Sequence, residues 1–232
     1  MSIFAISDLH LSFNTDKPMD VFGWDGYEKL IEEDWKEKVT DNDLVLLPGD
    51  FSWEMKLETT NKDFEFINNL PGRKLLLKGN HDYWWNTLKK MQEYIKEQNF
   101  LNIDFIYNNS YLFDDYIIAG TRGWVLPSNK ENEDDEKIRK RELQRLEMSI
   151  KDGINKYGDD KKIIVCMHYP PLSKYDKETE FTKMLEKYNV NTCIYGHLHG
   201  KIQEEAIEGN INGVEYIMTS CDYMDFKLKK II

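Results

Sequence analysis

Short runs rich in Ile, Val and Leu alternate along this chain with longer stretches whose apolar residues recur at helical spacing. Strands that short need a sheet around them, and a helix between two of them is the crossover that parallel pairing requires. The pattern predicts strands over residues 3–6, 44–47, 74–77, 105–107, 116–119, 163–167 and 192–195. It predicts helices over 27–39, 60–70, 85–96, 133–155 and 180–188. A closing hairpin is expected from strands 202–207 and 214–219, turning at Asn210-Ile211-Asn212-Gly213, because Asn-Gly supplies the positive φ angles of a tight turn. The fold class is therefore α+β (α/β-like).

At 232 residues and 41% hydrophobic, the chain can bury a core without a disulfide or a structural metal. No linker rich in Gly, Ser or Pro interrupts it, so a single domain over 1–232 is expected. Cys166, Cys193 and Cys221 form no CxxC pair and read as buried reduced thiols. The acidic run Glu131, Glu133, Asp134, Asp135 and Glu136 reads as the start of the longest helix, where acids suit the dipole. The formal net charge of −11 argues against a protein that wraps duplex nucleic acid or lies on anionic lipid. No apolar stretch reaches the length of a membrane span, and Met1 to Ile6 runs into Asp8 without a basic leader. A cytoplasmic protein is expected.

The five histidines all fall at or just past an expected strand end. They are His10 in Ser7-Asp8-Leu9-His10, His81 in Gly79-Asn80-His81-Asp82, His168 after Met167, and His197 and His199 in Gly196-His197-Leu198-His199. A further strand ends in Pro48-Gly49-Asp50. Parallel strands deliver such residues to one rim. Each motif alone could be a surface turn, but together they point to one cleft. Carboxylate and amide oxygens mixed with imidazoles suit Mn, Fe or Zn. A zinc site on Cys166 and Cys193 would leave Asp8, Asp50 and Asn80 unexplained. Seven candidate ligands exceed the four of one tetrahedral site. Two divalent ions sharing a carboxylate account for them.

In this order and combination the motifs resemble the calcineurin-like metallophosphoesterase superfamily. The resemblance implies a four-layer αββα sandwich, with two central mixed β-sheets flanked by helices. It implies that Asp8, His10, Asp50 and His199 hold one metal and Asp50, Asn80, His168 and His197 the other, with Asp50 bridging. His81 matches the family's histidine that is no ligand but faces the leaving group, and Asp82 or another carboxylate is expected to position it. The implied reaction is hydrolysis of a phosphoester, with a phosphodiester of a small molecule or nucleotide preferred, by in-line attack of a metal-bridging hydroxide. Asp50 is followed by Phe51-Ser52-Trp53 where the protein phosphatases of the superfamily carry an Asp-Arg-Gly signature. Asp-Leu-His-Leu at 8–11 and Gly-Asp-Phe-Ser at 49–52 are more similar to the bacterial phosphodiesterase branch. The alternatives are a phosphomonoesterase or protein phosphatase of the same superfamily, or a metal-stabilised module without turnover.

Substrate contacts are expected from loops that follow other strands. Arg122 and Trp124 lie just past the strand at 116–119, where Arg122 is either a surface ion pair or a bidentate anion contact. Tyr83 opens the trio Tyr83-Trp84-Trp85, read either as helix packing or as a stacking surface. The long loop 13–24 is a candidate lid.

Overall fold

The computed structural model describes residues 1–127 and 132–232; Glu131 of the acidic run lies outside them. In chain order the first half comprises β1 (Ile3–Ala5), α1 (Tyr27–Lys38), β2 (Leu44–Leu47), α2 (Asn61–Asn68), β3 (Arg73–Leu77), α3 (Leu88–Glu97) and β4 (Ile103–Ile106). The second half comprises β5 (Tyr111–Phe113), β6 (Tyr116–Thr121), α4 (Glu133–Tyr157), β7 (Lys162–Met167), α5 (Glu180–Lys187), β8 (Thr192–Tyr195), β9 (Gly209–Ile211), β10 (Val214–Met218) and β11 (Lys229–Lys230).

Two mixed sheets result. One has the order β11-β1-β2-β3-β4, parallel except at β11. The other has the order β5-β6-β7-β8-β10-β9, parallel in its four central strands and antiparallel at both edges. The two-residue side-chain period of a strand divides the core into layers. Leu44 and Leu46 face the other sheet, packed with Ile164, Cys166 and Ile194. Val45 and Leu47 face outward to Ile31, Trp35 and Phe64 of α1 and α2. Ile163 and Val165 face Leu146, Ile150, Phe181 and Leu185 of α4 and α5. Every central strand is covered on both sides, which is why these runs read as continuously apolar. The three cysteines are free and buried.

Local signals account for most boundaries. Asn132 caps α4 through bonds from the Asp134 and Asp135 amides, with acids filling the first turn. Asn212 and Gly213 adopt φ 52° and 90° between paired Ile211 and Val214, the two-residue turn expected. The preceding strand is not where the sequence reading puts it. Residues 200–205 form a 3-10 helix. The Tyr195 hydroxyl donates to the Ile207 carbonyl and accepts from its amide, both at 2.8 Å. That clamp ties residue 207 to a β8 side chain, and only Gly209–Ile211 pairs with β10. Helix α3 starts at Leu88 behind a Thr87 cap, later than expected, because Asp82 to Trp85 are folded into the preceding loop. Among the described residues no helix is long and apolar enough to cross a membrane.

Candidate metal centre

All seven candidate ligands gather at the carboxyl rim of the two sheets. The loops after β1 and β2 continue side by side, Asp8 N donating to Gly49 O at 2.9 Å and His10 N to Asp50 O at 3.0 Å. Asp8, His10 and Asp50 each adopt a left-handed backbone, φ 60°, 46° and 50°, which costs a residue with a side chain about 1–3 kcal/mol unless its surroundings impose it. Here the inter-loop bonds impose it, and the three side chains turn into the cleft. Two glycines allow the close approach. A Cβ at Gly79 would collide with the Asp50 carboxylate, and one at Gly196 with Asp8 Oδ2.

Two groups of ligand atoms form, Asp8 with His10 and His199, and Asp50 with His168 and His197. Asp50 also stands between them, its Oδ2 lying 3.4 Å from His168 Nε2 and 3.8 Å from His10 Nε2. Asn80 reaches the second group, with Oδ1 2.6 Å from His168 Nε2. His168 Nδ1 lies 3.1 Å from the Pro48 carbonyl. A proton on Nδ1 satisfies that contact and leaves Nε2 a bare lone pair. That lone pair faces Asn80 Oδ1, Asp50 Oδ2 and, at 3.3 Å, His197 Nδ1. Acceptors converging without enough protons fit a cation between them.

The electrostatics agree. Burial pushes His10 and His168 down to about 3 and His197 to about 4, leaving neutral imidazoles suited to ligation. Asp50 is pushed well above the carboxylate range by burial and by the charges of Asp82 and Asp8. Burial works the same way on Asp8, but His199, His168 and His10 outweigh it and hold the carboxyl low. Burial alone would lower His199; the carboxylates of Asp8 and Asp222 raise it to about 10. His10 Nδ1 and His199 Nε2 are buried without a hydrogen-bond partner.

His81 belongs to neither group. Its amide donates to Asp50 Oδ1 at 2.7 Å, while its ring packs 4.5 Å from Trp53 and 5.6 Å from His10, centroid to centroid. Asp82 does not orient it. The Asp82 carboxylate is taken up by the amides of Phe51, Ser52 and Gly79 and by Trp84 Nε1. It ties the β2 loop to the β3 loop, and the expected His81–Asp82 pair is corrected accordingly. Tyr83 is exposed next to His81. Trp84 and Trp85 pack in the core. The Arg122 carbonyl accepts from the His168 and Tyr169 amides, whereas its guanidinium leaves the metal groups, stacking on Trp124 at 4.4 Å. Trp124 borders a recess of about 280 Å³ with His197 and Tyr169.

Asp222, Ser220 and Trp53 take places at the rim that the sequence reading does not assign. Asp222 Oδ1 lies 2.8 Å from His199 Nδ1, and Ser220 Oγ donates to Asp8 Oδ2 at 3.0 Å; both follow β10, so the strand-end rule applied there finds them. Trp53 stacks on His10 at 4.7 Å. With Met19, Phe22 and Trp24 it lines a cavity of about 510 Å³ that reaches His10, His81 and His199.

Residues 1–201 match the family described as calcineurin-like phosphoesterase. The chain belongs to that family. Family membership and the two ligand groups together support a metal-dependent phosphoesterase. Two solved structures share the calcineurin-like phosphoesterase fold of this chain. A protein of unknown function from Aquifex aeolicus, AQ665, is 18% identical with a TM-score of 0.50, over 99% of this chain and 95% of that one. TT1561 of Thermus thermophilus is 12% identical with a TM-score of 0.59, over 98% and 96%. No curated protein matches this calcineurin-like phosphoesterase.

Proposed function

We propose that residues 1–232 act as one domain that hydrolyses a small-molecule phosphodiester, with Asp8, His10, Asp50 and His199 holding one divalent ion and Asp50, Asn80, His168 and His197 the other. The mixed oxygen and imidazole donors favour Mn, Fe or Zn. Such ions would supply Lewis acidity toward phosphoryl oxygens and lower the pKa of water toward about 7. The protein's residues do the rest. Asp50 sets the spacing of the two groups, Asp222 holds the His199 ring, and Asp82 fixes the loop that carries Asn80 and His81. His81 faces the departing oxygen and protonates it or stabilises its developing charge, a contribution of about 10²–10⁴ in rate.

The observation that carries the diester reading is that apolar recesses open on both groups. One, with Trp24 and Trp53, adjoins His10, His81 and His199; the other, with Trp124 and Tyr169, adjoins His197. A monoester has one organic arm and leaves one recess unused, whereas a diester fills both. Tyr83 and Trp124 are proposed to border those arms.

The test compares p-nitrophenyl phosphate with bis-p-nitrophenyl phosphate in Mn, Fe, Zn, Mg and chelator. Higher kcat/KM for the diester is expected, abolished by chelation. A monoester preference would favour the phosphomonoesterase alternative, and no turnover of either ester in any metal would leave a non-catalytic module.

A further inference from the structure

A second cleft, of about 410 Å³, lies among Lys78 after β3, Tyr107 after β4, the end of β6 and the flank of α4. Its walls carry Lys78, Arg122, Arg141 and Arg145 against one carboxylate, Glu142. On a chain of formal charge −11 this is a local reversal of sign. Glu142 is buried, and three guanidiniums crowd its Oε1. Arg145 Nη1 approaches to 2.7 Å, Arg141 Nε to 3.7 Å and Arg122 Nη2 to 3.8 Å. The other oxygen accepts from Thr121 Oγ1 at 2.8 Å. Only the Arg145 contact is a hydrogen bond. Arg122 Nε is buried without a hydrogen-bond partner.

Glu142 in the wall, with the charge of Asp82 also acting on Lys78, cannot neutralise four cations, and in a recess where water only partly screens them the surplus repels itself. Guanidiniums present paired N–H donors in a plane, the geometry that oxyanions accept. A surface cluster of arginines normally spreads its charge among several acids. Here the three guanidiniums share a single acid that brings their donors to the same wall.

We propose that this cleft binds a phosphate-type oxyanion through Arg122, Arg141, Arg145 and Lys78, with Glu142 as the shared acid that gathers the guanidiniums. Lys78 stands two residues before Asn80 in the loop that also carries His81. With the loop after β3 contributing to both the cleft and the metal groups, the bound group is assigned as a second phosphate on the substrate. That use rests on the phosphoester reading; the anion site itself does not. Free inorganic phosphate offers the same chemistry, and the experiment separates the two sources.

Pyrophosphate is titrated calorimetrically into the full chain after its metals are stripped and the chelator is removed. Binding is expected, weaker at high salt. Arg141→Gln and Arg145→Gln should each weaken it by about ten- to a hundredfold, the loss of one charge-assisted contact. Glu142→Gln should tighten it, an outcome that mere structural damage does not give. If Glu142→Gln fails to fold, the arginine variants decide alone. No binding by the wild type, or undiminished binding by the Arg141→Gln/Arg145→Gln double variant, overturns the proposal. After metal reconstitution, a kcat/KM loss in Arg145→Gln on an ester bearing a second phosphate, but not on p-nitrophenyl phosphate, assigns the anion to the substrate. Equal activity on both esters, with pyrophosphate affinity still reduced, assigns it to a free ion. Should the chain hydrolyse no phosphoester, the calorimetric result stands by itself.

Discussion

The two ligand groups meet at Asp50 but are held in place by different means. Around His168 the holding is done by the backbone and one amide. The Pro48 carbonyl fixes Nδ1, Asn80 sits at Nε2, and a Cβ at Gly49 would stand 2.6 Å from the ring. Around His10 and His199 side chains do the holding. Trp53 stacks on His10, Trp24 lies 5.6 Å from His199, and Asp222 takes the His199 Nδ1 contact. A backbone scaffold cannot be repacked without refolding two loops, whereas side-chain walls can be exchanged one residue at a time. The His168 half is the fixed reference of the site, and the His10/His199 half is where substrate shape can be tuned.

The strongest test of that contrast removes what the halves share. Asp50→Asn should release both metals, and the loss of several kcal/mol of charge stabilisation is about a thousandfold or more in turnover. His10→Gln should empty only its own half. Elemental analysis beside kinetics checks this, and full occupancy in both variants would break the bridging assignment. Next in size is His81→Gln, which should retain both metals yet slow hydrolysis by about 10²–10⁴ for esters with poor leaving groups, and less for p-nitrophenol esters. Metal loss in step with activity would move His81 into the His10 half as a ligand. The smallest effect is expected from Asp222→Asn, which keeps the side-chain shape but withdraws the charge behind His199. Metal affinity should fall about 10–100-fold in that half alone, seen as one weakened step in a two-step metal titration. Equal weakening of both steps would mean that the halves are not independently supported.

Much of this was legible in the chain, for physical reasons that also explain the failures. Strands β2 and β8 fall where their apolar runs lie, because both faces are buried and no other element competes for those residues. Segment 202–207, Ile-Gln-Glu-Glu-Ala-Ile, is far more polar, and the hydroxyl that captures residue 207 comes from Tyr195, a contact of which composition carries no trace. Asp8, Asp50, Asn80 and the histidines could be grouped because parallel strands deliver their ends to one rim. Asp222 obeys the same rule after β10 and lacks only a neighbouring histidine to draw notice. The brace made by Asp82 could not be read, since it depends on amides from two loops meeting in space. Trp24 and Trp53 carry no spacing signature at all. The convergence of Arg122 with Lys78, Arg141 and Arg145 is equally hidden, because β6, α4 and the β3 loop bring those residues together from distant parts of the chain.

The bonds that fix the Asp8 loop also carry a timing. Ser7 N donates to Thr219 O, Cys221 N to Ser7 O, and Ser220 reaches the Asp8 carboxylate across 212 positions of sequence. At about 5–20 residues per second of synthesis, a ribosome that has just made Asp8 needs roughly ten to forty seconds before Ser220 exists. During that interval β1 to β4 can pair, yet Asp8 lacks two of the donors that orient it. The Asp8 side of the cleft therefore reaches its final hydrogen bonding only when residues 219–221 have emerged, later than the Asp50, Asn80 and His168 side with which it shares the rim.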